Sequence, residues 1–282
     1  MSRFYPGVPA AADAPRPRNR VGGLGSGVGR TVVPVLCALL VLFLALPLAA
    51  LALHASPALL LSSLSQPTAV TALTLSLETT GITLLLILIL GTPTAYALAR
   101  RRFPGKRLVN TLIDLPIVMP PAVAGVALLL AFGREGALAP ALGAVGVHLS
   151  FSTAAVVLAQ FFVSCPFYVR TARAGFLGVD QVLEDASRTL GYGGWGTFRR
   201  VTVPLALPSL ISGSVLSWAR ALGEFGATIM FAGNLTGVTQ TMPLAVYLNL
   251  ESGDLDGAVA LSILLVVLSI FVLLLTRIIG RD

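Results

Sequence analysis

Six runs of mostly apolar residues constrain this chain more than any other feature of its sequence. A helix needs about 20 apolar residues to cross a hydrocarbon core of about 30 Å, and each run is near that length. With 11% of residues charged and 56% hydrophobic, the chain has too few charges for an ordinary soluble surface. We therefore predict an all-α polytopic membrane protein with six transmembrane helices, at residues 31–53, 71–99, 108–132, 151–169, 207–233 and 256–277.

The basic residues predict how the chain is oriented, because cytoplasmic loops accumulate Lys and Arg. All 19 of them except Arg134 and Arg220 precede the first run, lie at or beyond the end of the sixth, or lie between runs two and three or four and five. Both termini are then cytoplasmic, and residues 54–70, 133–150 and 234–255 face outward. This topology accounts for the net charge of +7, so the charge does not indicate nucleic-acid binding.

Residues 1–30 are rich in Pro, Gly, Ala and Arg and show no apolar period, which predicts a disordered cytoplasmic tail. The transmembrane domain would then occupy residues 31–282. A secretory signal peptide is the alternative, with residues 53–56 as its cleavage region. The first apolar run is longer than a typical signal-peptide core, which favours an uncleaved first span.

The histidines and cysteines exclude much chemistry. Cys37 and Cys165 fall within predicted spans, and His54 and His148 stand alone in outward segments, so the sequence predicts no metal site. It contains no HExxH, CxxC or nucleophile-elbow pattern, and we predict neither catalytic residues nor a cofactor.

The single lysine of the chain excludes a nucleotide-binding P-loop. Such a loop needs Gly-Lys followed by Ser or Thr to reach the phosphates and Mg²⁺, whereas Gly105-Lys106 is followed by Arg107. If ATP drives this protein, the ATPase is a separate chain that needs a docking site.

Residues 180–204 have the pattern expected of such a docking site. Asp180 is a candidate helix N-cap, and glycines at 191, 193 and 194 separate two short helices before Pro204. The apolar residues at helical spacing are Val182, Leu183, Ala186 and Leu190 on the first helix, and Trp195, Phe198 and Val201 on the second. An amphipathic helix lying on the lipid headgroups would show the same composition.

The spacing of this segment resembles the EAA loop of ABC importer permeases, where Glu-Ala-Ala precedes Gly and an aliphatic-x-aliphatic-Pro ending. Asp185-Ala186-Ser187, Gly191 and Val201-Thr202-Val203-Pro204 occupy those positions, with Asp for Glu and Ser for the second Ala. The resemblance implies a cytoplasmic helix-turn-helix coupling loop that inserts into the ATPase. Its contact residues are expected among Glu184, Asp185, Ala186, Ser187, Arg188, Gly191 and Pro204, and which carboxylate meets the ATPase stays open.

Further motifs resemble the molybdate, tungstate and sulfate branch of these type I permeases, and most closely its molybdate permeases. They are residues 91–96, 115–121, 219–228, 232–234 and 239–247. The resemblance implies a permease homodimer on an ATPase dimer, fed by a periplasmic or lipid-anchored oxyanion-binding protein. A sulfate or thiosulfate permease is the nearest alternative. Two further alternatives are a secondary anion transporter and a membrane-anchored scaffold. Neither would depend on coupled ATP hydrolysis.

Ionisable residues and prolines inside the spans are the candidate translocation path. Arg220 and Glu224 lie four residues apart, so they form either a structural pair or a positive lining held by the carboxylate. Pro120 and Pro121, with Pro93 and Pro116, either kink the spans or open the backbone towards a water-filled conduit. Thr228 is a candidate for transient contact with the anion. Asp114 is expected at an interface, and Glu78 has no assigned role.

Overall fold

The computed structural model describes residues 28–54, 56, 60–62 and 65–279. The chain divides into two compact units, residues 1–50 and 51–282. The predicted tail lies outside the described residues except for its last three, which begin helix α1 (Val28–His54).

The described residues contain helices and no β-strand. After α1 the helices are α2 (Pro67–Arg100), α3 (Lys106–Val118), α4 (Pro121–Phe132), α5 (Ala139–Ala144), α6 (Thr153–Gly178), α7 (Gln181–Thr189), α8 (Gly194–Thr197), α9 (Val203–Leu222), α10 (Gly226–Ala232), α11 (Met242–Glu251) and α12 (Leu255–Ile279). A π-helical turn, Phe198–Thr202, joins α8 to α9.

Within the described part of the chain, four stretches are long and apolar enough to cross a membrane: Val32–His54, Pro67–Arg100, Thr153–Gly178 and Gly194–Leu222. Two shorter apolar helices, Pro121–Phe132 and Leu255–Phe271, fall on the third and sixth predicted runs. The all-helical, multi-span fold class is therefore confirmed, whereas six complete crossings remain a prediction.

The third predicted span, residues 108–132, is wrong as a single helix. It consists of α3 and α4, which are separated at Met119 and Pro120. A proline disfavours helical geometry in the residue before it, and both residues have extended backbone, with ψ angles of 135° and 132°. Pro121 then starts α4, where its missing N–H is harmless. By contrast, α2 continues through Pro93 and α3 through Pro116.

The fifth predicted span also differs from the structure. The predicted second short helix of the 180–204 segment is not separate, because Gly194–Leu222 forms one helical stretch. In the π-turn before Pro204, the Val203 N–H bonds to the Phe198 carbonyl, five residues back. This wider turn accommodates the ring of Pro204 within the helical stretch. The stretch ends at Gly223, and α10 is a new helix. The predicted outward segment 234–255 contains α11, which the sequence did not predict.

Helix α6 forms the centre of residues 51–282. Its C-terminal half packs against α2 and α9 around Tyr168, Ala172 and Phe176, all almost fully buried. Its N-terminal half packs against α4 and α10 through small residues, including Ala155 and Ala159. The beginning of α2 packs instead against α11 and α12.

Hydrogen bonds between buried polar side chains join the same helices. Gln160 on α6 donates to Thr79 Oγ1 at 3.2 Å and accepts from Thr83 Oγ1 at 3.1 Å, both on α2. On α9, Ser217 donates to the Ser164 carbonyl at 2.8 Å. In lipid, where burial of apolar surface does not drive helix association, such bonds and close packing hold helices together.

Candidate functional site

The helix α7 has a defined start and a defined end. Asp180 is its N-cap, as predicted, and accepts a hydrogen bond from the Val182 N–H at 2.9 Å. At the other end, the Tyr192 N–H bonds to the Ser187 carbonyl and the Gly191 N–H to the Arg188 carbonyl, which is the Schellman pattern. Gly191 has a φ angle of +88°, in the left-handed region that side chains disfavour.

Replacing Gly191 with alanine is expected to loosen α7. A Cβ there meets no atom within 4 Å, so the cost is conformational, about 1–2 kcal/mol. The amides of α7 should then exchange hydrogen faster by roughly 5- to 30-fold. The matched control is Gly193→Ala, because Gly193 has equal space and a φ angle of −66°. Equal exchange in the two variants would contradict the role of Gly191.

The neighbouring carboxylates of α7 have different surroundings. Glu184 is 3% exposed, and its Oε1 accepts from Arg100 Nη2 at 3.0 Å and from Thr202 Oγ1 at 2.8 Å. Asp185 points outward, where it pairs with Arg188 at 3.1 Å; their side chains are 69% and 53% exposed. Glu184 thus ties α7 to α2 and to the π-turn, whereas Asp185 lies at the exposed surface and is paired only within α7.

Aromatic rings and one hydroxyl pair also fix this segment to the helices. The Phe198 ring lies 4.9 Å from Tyr96 of α2 and 6.1 Å from Phe176 of α6, between ring centroids. The Ser187 hydroxyl is buried 3.1 Å from Thr197 Oγ1. The serine that replaces the second alanine of the EAA pattern is therefore explained by an internal hydrogen bond.

The predicted apolar stripe of α7 faces away from the core. Val182, Leu183 and Leu190 are 68%, 47% and 78% exposed, Ala186 is exposed beside them, and Trp195 is 73% exposed. Arg199 and Arg200 are also exposed, and the Arg200 guanidinium lies 4.5 Å from the centre of the Tyr192 ring. Because the rest of the segment is tied to α2 and α6, residues 180–204 present a rigid surface with an uncovered apolar centre. Pro204, at the start of α9, is also exposed.

The predicted pair Arg220 and Glu224 lies at the break between α9 and α10. Arg220 Nη1 is 2.7 Å from Glu224 Oε2, with side chains 28% and 1% exposed. The other carboxylate oxygen accepts a hydrogen bond from the Ala227 N–H at 2.8 Å. Glu224 therefore caps the beginning of α10 while it holds the more exposed guanidinium in place.

The two helix breaks of the predicted path lie side by side. A Cβ built on Gly226 would be 2.7 Å from Pro121 Cβ, and one on Gly125 would be 2.7 Å from the Ala227 carbonyl oxygen. Pro120 directly precedes this contact. Thr228, which lies on α10, is fully buried, and its hydroxyl has no hydrogen-bond partner among the described residues. An unsatisfied buried hydroxyl is unusual in a packed interior, and ordered water or a bound ion is a common partner of such a group.

Two remaining ionisable residues lie elsewhere. Asp114 pairs with Arg170 at 3.7 Å, and their side chains are 47% and 63% exposed. Glu78 is exposed on α2 and is not part of the Arg220 cluster. Sequence reasoning did not identify Arg100, Thr202 or Gln160 as partners in the buried polar contacts.

Known proteins resemble this chain in both sequence and fold. Residues 87–282 match the family described as binding-protein-dependent transport system inner membrane component. The molybdenum transport system permease protein ModB of Mycobacterium tuberculosis is 46% identical over 234 residues, 83% of this chain and 88% of that protein. ModB of Escherichia coli K12 is 42% identical over 212 residues, 74% of this chain and 93% of that one.

Solved structures of ABC transporters share the fold. A chain of the bacterial alginate ABC transporter, in complex with its alginate pentasaccharide-bound periplasmic protein, has a TM-score of 0.73 at 16% identity and covers 90% of this chain and 93% of its own length. A chain of the MetNI methionine transporter has a TM-score of 0.58 at 20% identity, with coverages of 75% and 94%. This chain is a multi-pass membrane protein and belongs to the family of binding-protein-dependent transport system inner membrane components.

Proposed function

We propose that this chain is the membrane-spanning subunit of an ATP-driven importer that passes molybdate, and tungstate with it, into the cytoplasm. In this role it receives the anion from an external binding protein and alternates between outward and inward openings. Two copies of the chain pair with two ATPase subunits. The chain itself hydrolyses nothing.

The uncovered surface of residues 180–204 is the observation that carries this proposal. The chain has no P-loop, so the energy of ATP must enter through a contact with another protein. The exposed stripe of α7, with Trp195 and the pair Asp185 and Arg188, offers an apolar centre and a charged rim, as protein interfaces do. Glu184 and the aromatic contacts would transmit a movement of this surface to α2 and α6.

The orientation follows from the same assignment. If residues 180–204 meet the ATPase, they are cytoplasmic, as their arginines predict. Residues 133–150 and 234–255 then face the binding protein, and Glu251, Asp254 and Asp256 are either solvated or in contact with it. The anion would pass the breaks at Pro120–Pro121 and Gly223–Phe225, with Arg220 supplying positive potential and Thr228 a transient hydroxyl contact.

The names of the relatives support molybdate as the substrate over sulfate. Relatives from Mycobacterium tuberculosis and Escherichia coli are both described as molybdenum transport permeases, at identities of 46% and 42%. Both candidate substrates are tetrahedral dianions, so the charge of the path does not separate them.

Reconstitution tests the proposal directly. The chain is placed in liposomes with its ATPase and its binding protein, and uptake of labelled molybdate, tungstate and sulfate is compared with and without ATP. We expect ATP-dependent uptake of molybdate and tungstate well above that of sulfate. Equal uptake without ATP would indicate a secondary transporter, and faster uptake of sulfate would reassign the substrate.

A further inference from the structure

A cavity of about 360 Å³ lies at the C-terminal end of α4, in the predicted outward segment 133–150. Its walls include Phe132, Leu142 and Val147, and its polar lining includes Arg134, His148 and Ser150. A water molecule occupies about 30 Å³ in the liquid, so this space is large enough for a tetrahedral oxyanion with part of its hydration.

The polar groups of this cavity are not used by the protein itself. The four ion pairs formed by the described residues do not include Arg134. Ser150 is 5% exposed, and its Oγ has no hydrogen-bond partner among the described residues. The free guanidinium is a donor that an anion in the cavity would satisfy. The Ser150 hydroxyl is a second donor, which reaches the cavity only when its side chain rotates, because its oxygen has almost no accessible surface.

The position of the positive charge is also unusual. Arg134 is the only Lys or Arg in the three predicted outward segments, whose other charged residues are acidic. One of these, Glu135, lines a neighbouring cavity together with Arg134 and Ser150. An anion approaching this side of the protein is therefore attracted at one place, where an arginine and a histidine line the same cavity.

The cavity and the candidate path lie at opposite ends of one helix. α4 begins at Pro121, beside the break that holds Arg220 and Glu224, and ends at Phe132 in the cavity wall. Its 12 residues span about 18 Å. α10, which packs along α4, ends at Ala232. A Cβ built on the following residue, Gly233, would lie 3.0 Å from the ring of Phe151, next to Ser150.

We propose that this cavity is an outer binding site for a tetrahedral oxyanion. Arg134 supplies the charge, one His148 N–H supplies a hydrogen bond, and the Ser150 hydroxyl supplies a second once its side chain rotates towards the cavity. The anion is held there between its release from the binding protein and its passage along α4. This inference rests on the proposed function. The site binds weakly, because an anion held tightly would not move on.

Direct binding tests the proposal. The complex of the permease with its ATPase is embedded in lipid nanodiscs without the binding protein, and binding of labelled molybdate is measured by equilibrium dialysis. We expect a Kd in the millimolar range or tighter, competition by tungstate, and at least a tenfold loss of affinity in Arg134→Gln. Arg134→Lys should recover part of the affinity, and Ser150→Ala should lose about threefold. Glu135→Gln is the matched control, which should bind at least as well as the unchanged complex.

Three outcomes would overturn the site. They are no binding by the unchanged complex, equal binding by Arg134→Gln, and an effect of Arg134→Gln limited to attachment of the binding protein. The last would show that the cavity receives a carboxylate of that protein. Failure of the proposed function has a different signature, since the unchanged complex would then show no ATP-driven uptake of any oxyanion.

Discussion

Glu184→Gln is expected to destabilise the protein by about 3–5 kcal/mol, because it leaves the buried guanidinium of Arg100 without its counter-charge. The Arg100 side chain is 10% exposed and that of Glu184 is 4% exposed, so water does not compensate for the loss. The expected result is a lower free energy of unfolding in detergent and less folded protein in the membrane. Coupling also fails, since the same carboxylate holds α7 on α2 and the π-turn.

The adjacent residue provides the matched control. Asp185→Lys reverses a charge that is 69% exposed and paired only within its own helix, a contact worth about 0.5 kcal/mol or less. Its unfolding free energy should stay close to that of the unchanged chain. If the exposed face binds the ATPase, this variant folds normally but hydrolyses ATP without driving uptake.

A double-mutant cycle measures the interaction energy between Arg100 and Glu184 apart from their contacts with other residues. Arg100→Gln combined with Glu184→Gln should cost less than the sum of the two single changes, because neither charge is then left alone. Strict additivity, or a Glu184→Gln variant within about 1 kcal/mol of the unchanged chain, would show that the pair does not hold the loop. Normal coupling in Asp185→Lys would argue against the proposed docking face.

The sequence was sufficient to predict the fold class and the start of helix α7. Apolar runs near bilayer length are a strong signal, since a chain in lipid must satisfy its backbone within helices. The loop interrupts two such runs with charges and glycines, and the left-handed Gly191 shows why glycine is required there. The N-cap role of Asp180 was predictable because it depends on residues adjacent in the chain.

The direction of the apolar stripe was not predictable from its spacing. Val182, Leu183 and Leu190 share a face by helical periodicity, and on most helices such a face is buried. Here Glu184 and Ser187 point inward instead, because Arg100, Thr202 and Thr197 are there to bind them. Those partners come from positions up to 84 residues distant, and helical periodicity contains no information about them.

The helix breaks were predicted only in part. Prolines at 93, 116, 120 and 121 were equal candidates, yet only the Pro120–Pro121 pair interrupts a helix. A single proline removes one hydrogen bond, which a long helix tolerates, whereas the pair removes two neighbouring donors and also forces Met119 out of helical geometry. The break at Gly223 has no proline and depends on Glu224 capping α10.

Gly125→Val is expected to block transport, because it forces α4 and α10 apart where the two breaks meet. A Cβ at this position would be 2.7 Å from the Ala227 carbonyl oxygen and 2.9 Å from Ala227 Cα, both backbone atoms that a side-chain rotation cannot move. Overpacking of this kind costs about 1–3 kcal/mol. If that cost falls on only one of the outward-open and inward-open states, the ratio of their populations changes by roughly 5- to 150-fold.

The measurement is ATP-driven uptake in liposomes, normalised to the amount of folded permease and compared with ATP hydrolysis. Gly125→Val should lose at least tenfold in uptake while it still binds the ATPase, because residues 180–204 are anchored by α2 and α6 rather than by α4. Gly81→Ala on α2 is the matched control, since a Cβ there meets no atom within 4 Å. Normal uptake by Gly125→Val would mean that α4 and α10 separate freely. The path would then have to be sought away from the Pro121–Gly226 contact.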